Sequence, residues 1–396
     1  MRLAIGGGRT ALLTYCANVH PGERLADVWA ALDAAASVRA ELGLARMAVG
    51  LWLSRPALDQ LVAAGANRGG ALLGEELARR ELEVFTFNGF PYGNFHAPVV
   101  KRAVYHPDWS TRERSAYTLA LAEILTMVMP RDLDDATIST LPLAHRQELA
   151  GADTAGAAVE QLCRLCVDLA RLADRTGKRV RVACEPEPGC LLESTRDAIE
   201  WWTEAVPAAA RRAGVSGAVV ADHLGICFDT CHQAVAFEDP VASLDAFASA
   251  GVPIGKMQLS SALVIPSPGT PEGRAALERF DEPRFLHQVR ARRADGDLAA
   301  ADDLDQVADL PRDRPWRVHF HVPIHRAAVG EVETTRDFLR GAIAWLRAGG
   351  RPLPHLEVET YTWSVLPEGE RPRDGATLCA GIAAELAWAR EELSAP

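Results

Sequence analysis

The side chains best suited to chemistry in this sequence are an aspartate and a histidine that follow an apolar run. Residues 224–228 read Leu-Gly-Ile-Cys-Phe, and Asp229 and His232 come just after them. A continuous apolar run of this length indicates a buried strand, and a buried carboxylate needs a partner for its charge. A metal ion is the partner we expect. Because α/β proteins carry their chemistry at the carboxyl ends of parallel strands, Asp229 predicts an active site.

Two further predicted strands also end in carboxylates. Residues 180–185 form an apolar strand that ends at Glu185, and prolines then stop the strand. Side chains alternate between the two faces of a strand, so Glu185 can point into the interior of a barrel. In the last candidate strand, residues 356–361, Glu359 shares a face with Glu357 and lies nearer the carboxyl end. Glu359 is therefore the better candidate for a metal ligand.

Two more candidate strands offer amide and imidazole donors. Residues 254–260 place Gln258 on the same face as Lys256, and residues 318–324 align His319 with His321. Carboxylates from separate strands repel one another at a shared mouth unless a cation neutralises them. Carboxylate, amide and imidazole donors together suit Mn²⁺, Mg²⁺, Co²⁺ or Zn²⁺. The pattern predicts a site for one divalent ion.

The elements that must position these residues alternate along the chain. Strands are predicted at residues 12–19, 47–53, 82–88, 137–141, 180–185, 224–229, 254–260, 318–324 and 356–361. Amphipathic helices are predicted at residues 25–42, 112–129, 155–176, 196–213, 240–250 and 336–348. A hydroxyl stands three residues before an acid at Ser110, Ser194 and Thr334, a pattern typical of helix starts. Strands alternating with helices are parallel, so the sequence predicts an α/β protein with a (β/α)₈ TIM barrel.

One strand candidate exceeds the eight of a barrel, and it follows the longest irregular stretch. Residues 262–316 contain the prolines at 266, 268, 271 and 283, which disfavour regular strands. Residues 286–290 could start a hairpin within this stretch. We expect one TIM-barrel domain over residues 1–396, with residues 262–316 as an inserted segment or lid between the seventh and eighth barrel strands.

Composition excludes several classes of partner. The net charge of −11 and the lack of a Lys/Arg run argue against nucleic acid and against an anionic membrane surface. The first residues are too glycine-rich for a signal peptide, and no window approaches the roughly 18 apolar residues of a membrane span. We expect a cytoplasmic protein with a small-molecule ligand. Its eight cysteines are expected to be reduced thiols.

Three of these stretches resemble the xylose isomerase-like superfamily, which includes ketose 3-epimerases, sugar-phosphate isomerase/epimerase-like proteins and apurinic endonucleases. The resemblance rests on ACEPEPG, GICFDTCHQAVAFED and VETYTW. It implies metal binding by Glu185, Asp229 and Glu359, with His232 as a further ligand or a substrate contact. The epimerases have histidine where this chain has Gln258. The resemblance then requires either that the Gln258 amide oxygen coordinates the ion or that His319 or His321 replaces it.

A closer resemblance covers nearly the whole chain and identifies it as similar to EboE-type metabolite-traffic proteins. The stretches that carry it are LTYCANVHPGE, FTFNGFPYGNFH, VYHPDWSTRERSAYT, EPEPGCLLES, GICFDTCH, KMQLSSAL, FLHQV, WRVHFHVPI and LEVETYTWSVLP. Members of this group are xylose isomerase-like barrels from bacterial gene clusters associated with secondary-metabolite precursors. The resemblance implies a role in such a pathway, with other proteins of the pathway as candidate partners.

The chemistry implied is proton transfer next to a carbonyl in a sugar-like substrate. A divalent ion polarises the carbonyl, and Glu185 and Glu359 take and return the proton, while His232 holds a substrate oxygen. A polyhydroxylated or aromatic metabolite would also contact polar and aromatic side chains near the ends of the predicted strands. These candidates are Asn88, His96, His319, Tyr361 and Trp363.

Two alternatives to this isomerase or epimerase remain. The first is a non-catalytic barrel that binds a metabolite and hands it to partner proteins. The glutamine at position 258 favours it, because losing a ligand can leave binding without turnover. The second, an apurinic endonuclease, is opposed by the acidic net charge of −11.

Overall fold

The computed structural model describes residues 1–148 and 151–395; residues 149, 150 and 396, which the single-domain prediction includes, lie outside the described residues. The strands are β1 (Arg2–Ile5), β2 (Arg9–Tyr15), β3 (Met47–Ala48), β4 (Leu51–Trp52), β5 (Leu82–Glu83), β6 (Thr86–Asn88), β7 (Asp135–Thr140), β8 (Arg179–Cys184), β9 (Leu224–Asp229), β10 (Ile254–Leu259), β11 (Leu263–Ile265), β12 (Val289–Arg292), β13 (Leu298–Ala301), β14 (Trp316–Val318), β15 (Ala328–Val329), β16 (Val332–Thr334) and β17 (His355–Val358). The helices are α1 (Leu25–Glu41), α2 (Arg55–Val62), α3 (Ala66–Arg79), α4 (Arg112–Val128), α5 (Ala152–Thr176), α6 (Thr195–Glu200), α7 (Val206–Ala213), α8 (Gly217–His223), α9 (Thr230–Val235), α10 (Pro240–Ser249), α11 (Pro271–Glu278), α12 (Arg336–Arg347) and α13 (Gly375–Ser394).

Eight parallel strands form a closed barrel. Their order is β2-β17-β10-β9-β8-β7-β6-β4, and β1 adds an antiparallel edge to β2. A parallel bridge between Cys16 and Gly50 joins the two ends of this series. There the Gly50 N–H donates to the carbonyl of Tyr15 at 2.9 Å, and the Ala17 N–H donates to the carbonyl of Gly50 at 2.8 Å. The predicted (β/α)₈ barrel is confirmed.

The seam of the barrel requires glycine at position 50. A Cβ atom placed there would overlap Oε1 of Glu357, whose side chain fills the barrel interior beside the seam. Glu357 is fully buried and forms an ion pair with Lys256, 2.7 Å between Oε2 and Nζ. The barrel core is therefore partly ionic, and the absence of a side chain at Gly50 makes room for the charge.

Helices surround the barrel, and every predicted helix has a counterpart in the structure. The sequence analysis did not predict α2, α3, α8, α9, α11 or α13. Adjacent glycines in α3 lower its helix propensity, but tight packing requires them: a Cβ on Gly69 would meet the Leu61 carbonyl at 2.5 Å, and one on Gly70 would meet the Met127 sulfur at 2.5 Å. Within the described ranges, no helix is both long enough and apolar enough to cross a bilayer.

Of the three predicted capping boxes, only the one at Ser194 forms as predicted; at α4 the cap is Thr111, one residue after the predicted Ser110. Ser194 caps α6 in a full capping box with Asp197, and Thr111 accepts the Arg114 N–H at the start of α4. At α12 the hydroxyl of Thr335 instead accepts the N–H of Ala262, 2.8 Å away, so it joins the helix to the segment that follows β10. The competing contact explains why no side chain caps α12.

A second sheet lies between the seventh barrel strand, β10, and α12. It is antiparallel, with the order β13-β12-β14-β11-β16-β15, and includes the predicted hairpin as β12 and β13. Its strands extend from residue 263 to residue 334, beyond the predicted limit at 316. The ninth strand predicted at 318–324 is wrong: β14 ends at Val318 and pairs within this sheet, and residues 319–324 have no ladder partner.

The buried carboxylate of Glu385 links the segment 319–324 to the last helix, α13. Oε1 of Glu385 in α13 accepts the Ile324 N–H at 3.0 Å and the Thr360 hydroxyl at 2.6 Å. Oε2 accepts the indole N–H of Trp363 at 3.3 Å. Burial raises the pKa of Glu385 from its ordinary 4.5 to about 7. The segments that follow β14 and β17 are thus linked by a carboxyl group whose pKa lies near 7.

We expect Glu385→Gln to flatten the dependence of stability on pH. Because the folded pKa lies above the unfolded one, the folded chain keeps a proton that the unfolded chain releases, so stability is greatest below pH 4.5 and falls as pH rises through about 7. The difference corresponds to about 3 kcal/mol. Urea unfolding from pH 4 to pH 8 measures it. Glu391→Gln, at an exposed position of the same helix, is the control, and an unchanged slope in Glu385→Gln would contradict the assignment.

Candidate functional site

Three predicted carboxylates meet at the carboxyl end of the barrel. Glu185 and Glu359 directly follow β8 and β17, and Asp229 is the last residue of β9. One carboxylate oxygen from each lies within 4.8 Å of one oxygen of both others. All three side chains are buried, with residue exposures of 3%, 4% and 0%. The strand ends thus gather three acids out of water, as their positions predict.

Asp229 is oriented by the helix that begins after it. It caps α9, and its Oδ1 accepts the N–H groups of Cys231 at 2.7 Å and His232 at 3.2 Å, as well as the hydroxyl of Ser260 at 2.5 Å. Its Oδ2 is buried and has no hydrogen-bond partner. A buried carboxylate oxygen without a donor is costly, so Oδ2 is suited to a cation.

The two glutamates each keep one oxygen free of hydrogen bonds to nearby donors. Oε1 of Glu359 accepts the amide N–H groups of Asn18 at 2.8 Å and Asn88 at 3.0 Å, which leaves Oε2 to the site. Oε2 of Glu185 is buried without a partner. Asn88 was predicted as a substrate contact, and the structure places it as a support for Glu359. Asn18 was not predicted as a site residue. It lies three residues after the end of β2, so its position near a strand end could have indicated it.

Electrostatics favour a cation among these acids. Burial and the neighbouring Glu359 and Asp229 charges raise the pKa of Glu185 well above its ordinary value. Burial and the charges of Asp229 and Glu357 do the same for Glu359. Burial would also raise the pKa of Asp229, but nearby His232 and His321, with the hydrogen bonds to its Oδ1, hold it below the ordinary value. A divalent ion would relieve this repulsion.

Three histidines converge beside Asp229. His232 comes from α9, whereas His319 and His321 follow β14. The Nε2 atom of His319 lies 3.2 Å from that of His232 and 3.1 Å from that of His321. Oδ2 of Asp229 lies 3.9 Å from Nε2 of His232 and 4.0 Å from Nε2 of His321. The ninth candidate strand therefore delivers both predicted imidazoles to the site, from a loop.

These imidazoles are neutral at physiological pH. Burial lowers the pKa of His232 to about 4, even though Asp229 opposes the shift. Burial also lowers the pKa of His321, and burial with the other two imidazoles lowers that of His319 well below the ordinary value. Neutral imidazole is the form that binds metals.

Gln258 lies beside Asp229 in the barrel sheet, where β10 pairs with β9, but its side chain forms no hydrogen bond with the site. Its side chain is fully buried, and neither Oε1 nor Nε2 has a hydrogen-bond partner among the described residues. It does not line the pocket described below. The next residue on its face, Ser260, does reach the site, because its hydroxyl donates to Asp229.

A pocket of about 520 Å³, including its open mouth, lies over the carboxylates and histidines. Its aromatic wall consists of Phe90, Phe95, Tyr105, Phe285 and Tyr361. The inserted segment supplies part of that wall and both loop histidines. The predicted contacts His96 and Trp363 do not line it: Nε2 of His96 donates to the Asn18 carbonyl at 2.8 Å, and the Trp363 indole donates to Glu385.

Glu187 is a pocket residue that the predicted site did not include. Its Oε1 accepts the hydroxyl of Tyr105 at 2.8 Å, and burial raises its pKa to about 8. Tyr105 in turn accepts from Nε2 of Gln288 at 3.1 Å, and Oε1 of Gln288 accepts from Nδ1 of His319 at 2.6 Å. Side chains alternate between the faces of a strand, so Glu187 lies on the same face as Glu185. The sequence pattern could therefore have predicted Glu187 as a site residue.

Known proteins resemble this chain in fold, and the matches come from solved structures. No protein-family model matches the chain, and a search of curated proteins found no match. Among solved structures, the IOLI protein with a binding zinc atom matches with a TM-score of 0.50 and 10% identity, over 97% of this chain and 100% of its own.

Two other solved structures match slightly less well. A xylose isomerase-like TIM barrel protein from Mycobacterium smegmatis, in complex with magnesium, has a TM-score of 0.48 and 11% identity over 96% of this chain and 100% of its own. A D-tagatose 3-epimerase-like protein has a TM-score of 0.48 and 11% identity over 95% and 97%. At such identities only the fold is shown. With its closed eight-stranded parallel barrel, the chain has the fold of the xylose isomerase-like TIM barrels.

Proposed function

We propose that this protein is a divalent-metal-dependent isomerase or epimerase of a sugar-like small molecule. The observation that carries the proposal is the buried group of Glu185, Asp229 and Glu359 at the base of the pocket, in which Asp229 Oδ2 and Glu185 Oε2 lack any donor. These oxygens fit Mn²⁺, Mg²⁺, Co²⁺ or Zn²⁺. The three acids would hold the ion, which when bound polarises a substrate carbonyl and acidifies the adjacent C–H group.

The chain's own residues supply the proton transfer. Glu359 is held by two amide donors, so its Oε2 can face a substrate without the side chain turning. Glu185 offers Oε2, which no protein group occupies. One carboxylate removes the proton beside the carbonyl and the other returns one, at the same carbon for epimerisation or at the neighbouring carbon for isomerisation. Glu187, with its pKa raised to about 8, can remain protonated and donate a hydrogen bond to a substrate oxygen.

The pocket supports a polyhydroxylated or aromatic substrate. The pocket opens at the carboxyl ends of the barrel strands, and its volume of about 520 Å³ includes the open space at its mouth. Aromatic rings cover one side of the pocket and carboxylates and amides its base, an arrangement that packs on C–H faces and binds hydroxyl groups. The inserted segment contributes Phe285 and Leu286 to the mouth, which supports its proposed role as a lid within a single domain.

Replacing Glu359 by glutamine should abolish proton transfer while sparing substrate binding. The experiment measures solvent deuterium incorporated into a panel of ketoses by protein loaded with Mn²⁺. Loss of a positioned acid or base lowers the rate on the order of 10²–10⁴-fold. Glu278→Gln, on the exposed face of α11, is the matched control and should exchange at the wild-type rate. Exchange at the wild-type rate in Glu359→Gln would contradict the proposed role.

The alternative is a barrel that binds a metal and a metabolite without turnover. The glutamine at position 258 favours it, because the epimerases that the sequence resembles have a histidine ligand at that position, and losing a ligand can leave binding without turnover. Tight binding of a metabolite without deuterium exchange into any member of the panel would support this carrier.

The EboE-type assignment and a place in a metabolite-traffic pathway are also proposals. They rest on the sequence stretches that resemble that group, and other proteins of the pathway are the proposed partners. Disrupting the gene and comparing metabolite extracts tests the role: accumulation of a precursor supports it, and unchanged extracts oppose it.

A further inference from the structure

The hydrogen bonds of the three site histidines fix which ring nitrogen carries the proton. Nδ1 of His232 faces the Pro186 carbonyl at 3.0 Å, and Nδ1 of His321 faces the Glu359 carbonyl at 2.9 Å. Carbonyl oxygens only accept, so both Nδ1 atoms must donate. In neutral rings each Nε2 atom then carries a lone pair instead of a proton.

The third ring follows the same rule. Nδ1 of His319 lies 2.6 Å from Oε1 of Gln288. The amide orientation is set by the Pro188 carbonyl, which accepts from Nε2 of Gln288 at 3.1 Å. Oε1 therefore faces His319, and Nδ1 of His319 donates to it. Its Nε2 also carries a lone pair.

The Nε2 lone pair of His319 thus lies within hydrogen-bonding distance of the Nε2 lone pairs of both His232 and His321, with no proton between them. The separations of 3.1 and 3.2 Å between Nε2 atoms are short for mutually repelling acceptors. One hydroxyl, that of Tyr361, lies 3.4 Å from Nε2 of His319, and a single donor can satisfy only one of the three. The separations match the roughly 3.3 Å between nitrogens that tetrahedral Zn²⁺ coordination at about 2.0–2.1 Å requires.

This group is spatially distinct from the three carboxylates. Glu185 approaches His232 from its Nδ1 side, at 3.7 Å, and Glu359 approaches His321 from its Nδ1 side, at 4.0 Å. The Nε2 atoms point away from both glutamates. Asp229 belongs to both groups, because one of its carboxylate oxygens lies within 4.8 Å of oxygens of both glutamates and its Oδ2 lies 3.9 and 4.0 Å from Nε2 of His232 and His321.

We propose that His232, His319 and His321 form a second metal site, adjacent to the carboxylate site and joined to it through Asp229. Three imidazoles and one carboxylate make a borderline ligand set, which selects Zn²⁺ or Co²⁺ over Mg²⁺. The proposal deepens the proposed function, on which it rests only for the role of the neighbouring carboxylate site. It also reassigns His232 from a substrate contact to a ligand.

The second site would couple the inserted segment to the barrel. His232 belongs to the barrel unit that follows β9, whereas the other two imidazoles follow β14 of the antiparallel sheet. Each ring is held by a carbonyl or amide acceptor, the arrangement by which proteins orient metal-binding histidines. An ion among them would fix the segment that forms one wall of the pocket.

Metal content after loading with Zn²⁺ and gel filtration tests the proposal. Wild-type protein should hold two ions per chain, and the His319→Gln/His321→Gln double variant should hold one. His106→Gln, an exposed histidine paired with Glu148, is the matched control and should hold two. With Co²⁺, the visible absorption of the imidazole-bound ion should disappear in the double variant and persist in His106→Gln. If that variant retains two ions and the wild-type Co²⁺ spectrum, the proposal is overturned.

Two further variants separate this proposal from the proposed function. His232→Gln changes a barrel residue and should lose the same ion, which keeps the test valid if the double variant does not fold by circular dichroism. Glu185→Gln/Glu359→Gln should lose the other ion and keep the Co²⁺ absorption. A wild-type protein with one ion, lost only from the glutamate variant, would overturn the second site and leave the proposed function intact. One ion lost only from the histidine variants would support the imidazole site and count against the carboxylate one.

Discussion

The Asp229→Asn variant is expected to lose both metal ions while remaining folded. Asparagine caps helices about as well as aspartate, so its Oδ1 can still accept the N–H groups of Cys231 and His232. Its amide nitrogen then replaces Oδ2, the buried oxygen that has no hydrogen-bond partner among the described residues and that faces His232 and His321. A nitrogen that donates hydrogen bonds cannot bind a cation.

The expected loss is large because a ligand is removed, and not merely a group that orients one. Losing an outer-shell partner costs roughly 10–100-fold in metal affinity, and losing a shared ligand should cost more at each site. Competition with a chromophoric chelator measures both affinities, and thermal unfolding of metal-free protein reports the fold.

Asp239→Asn is the matched control for this variant. Asp239 caps α10 through the Ala242 N–H at 2.8 Å, and its side chain lies at the surface, outside the pocket. The control should keep two ions and wild-type stability. An Asp229→Asn protein that binds metal with wild-type affinity would remove Asp229 from both sites.

The sequence predicted the barrel well because each barrel strand is an apolar run followed by a helix. Such runs must be buried on both faces, and a parallel barrel provides that environment.

The prediction of a strand at residues 318–324 failed for a physical reason. Alternating apolar and imidazole side chains indicate a strand, but here the alternation directs His319 and His321 to one site while Phe320 packs on His287 at 4.6 Å between ring centroids. The backbone of this segment is held by single contacts, such as the Val322 N–H to the Ser261 carbonyl at 2.9 Å.

The carboxylates of the site could be predicted from the sequence. The hydrogen bonds through which other residues, such as Asn18 and Gln288, orient the site could not. Glu185, Asp229 and Glu359 each stand at a strand end, and the closed barrel brings strand ends together whatever the loops do. Asn18 and Gln288 act through side-chain hydrogen bonds across 341 and 31 residues of sequence. Such contacts depend on how the loops and the inserted sheet pack, which local patterns do not encode.

Beneath the site, the Lys256→Met variant is expected to unfold far more easily than wild type. Nζ of Lys256 lies 2.7 Å from Oε2 of Glu357 and donates to the Ser139 hydroxyl at 3.1 Å, and both charged side chains are fully buried. Removing one member of a buried pair leaves the other charge in a low dielectric without compensation. This typically costs about 3–5 kcal/mol. Lys256 also lowers the pKa of Glu185 and Glu359, so these acids should titrate at still higher pH in the variant.

Urea unfolding of metal-free protein measures the loss and separates it from metal binding. The Lys256→Met/Glu357→Leu double variant should recover most of the stability, because a buried ion pair replaced by apolar groups of similar volume is often neutral. Arg196→Met, which breaks the exposed pair with Glu200, should change stability little. If Lys256→Met unfolds like wild type, then the pair is not compensating a buried charge. Recovery in the double variant, together with a changed titration of Glu185 and Glu359, would show that the ion pair serves the electrostatics of these acids more than the stability of the fold.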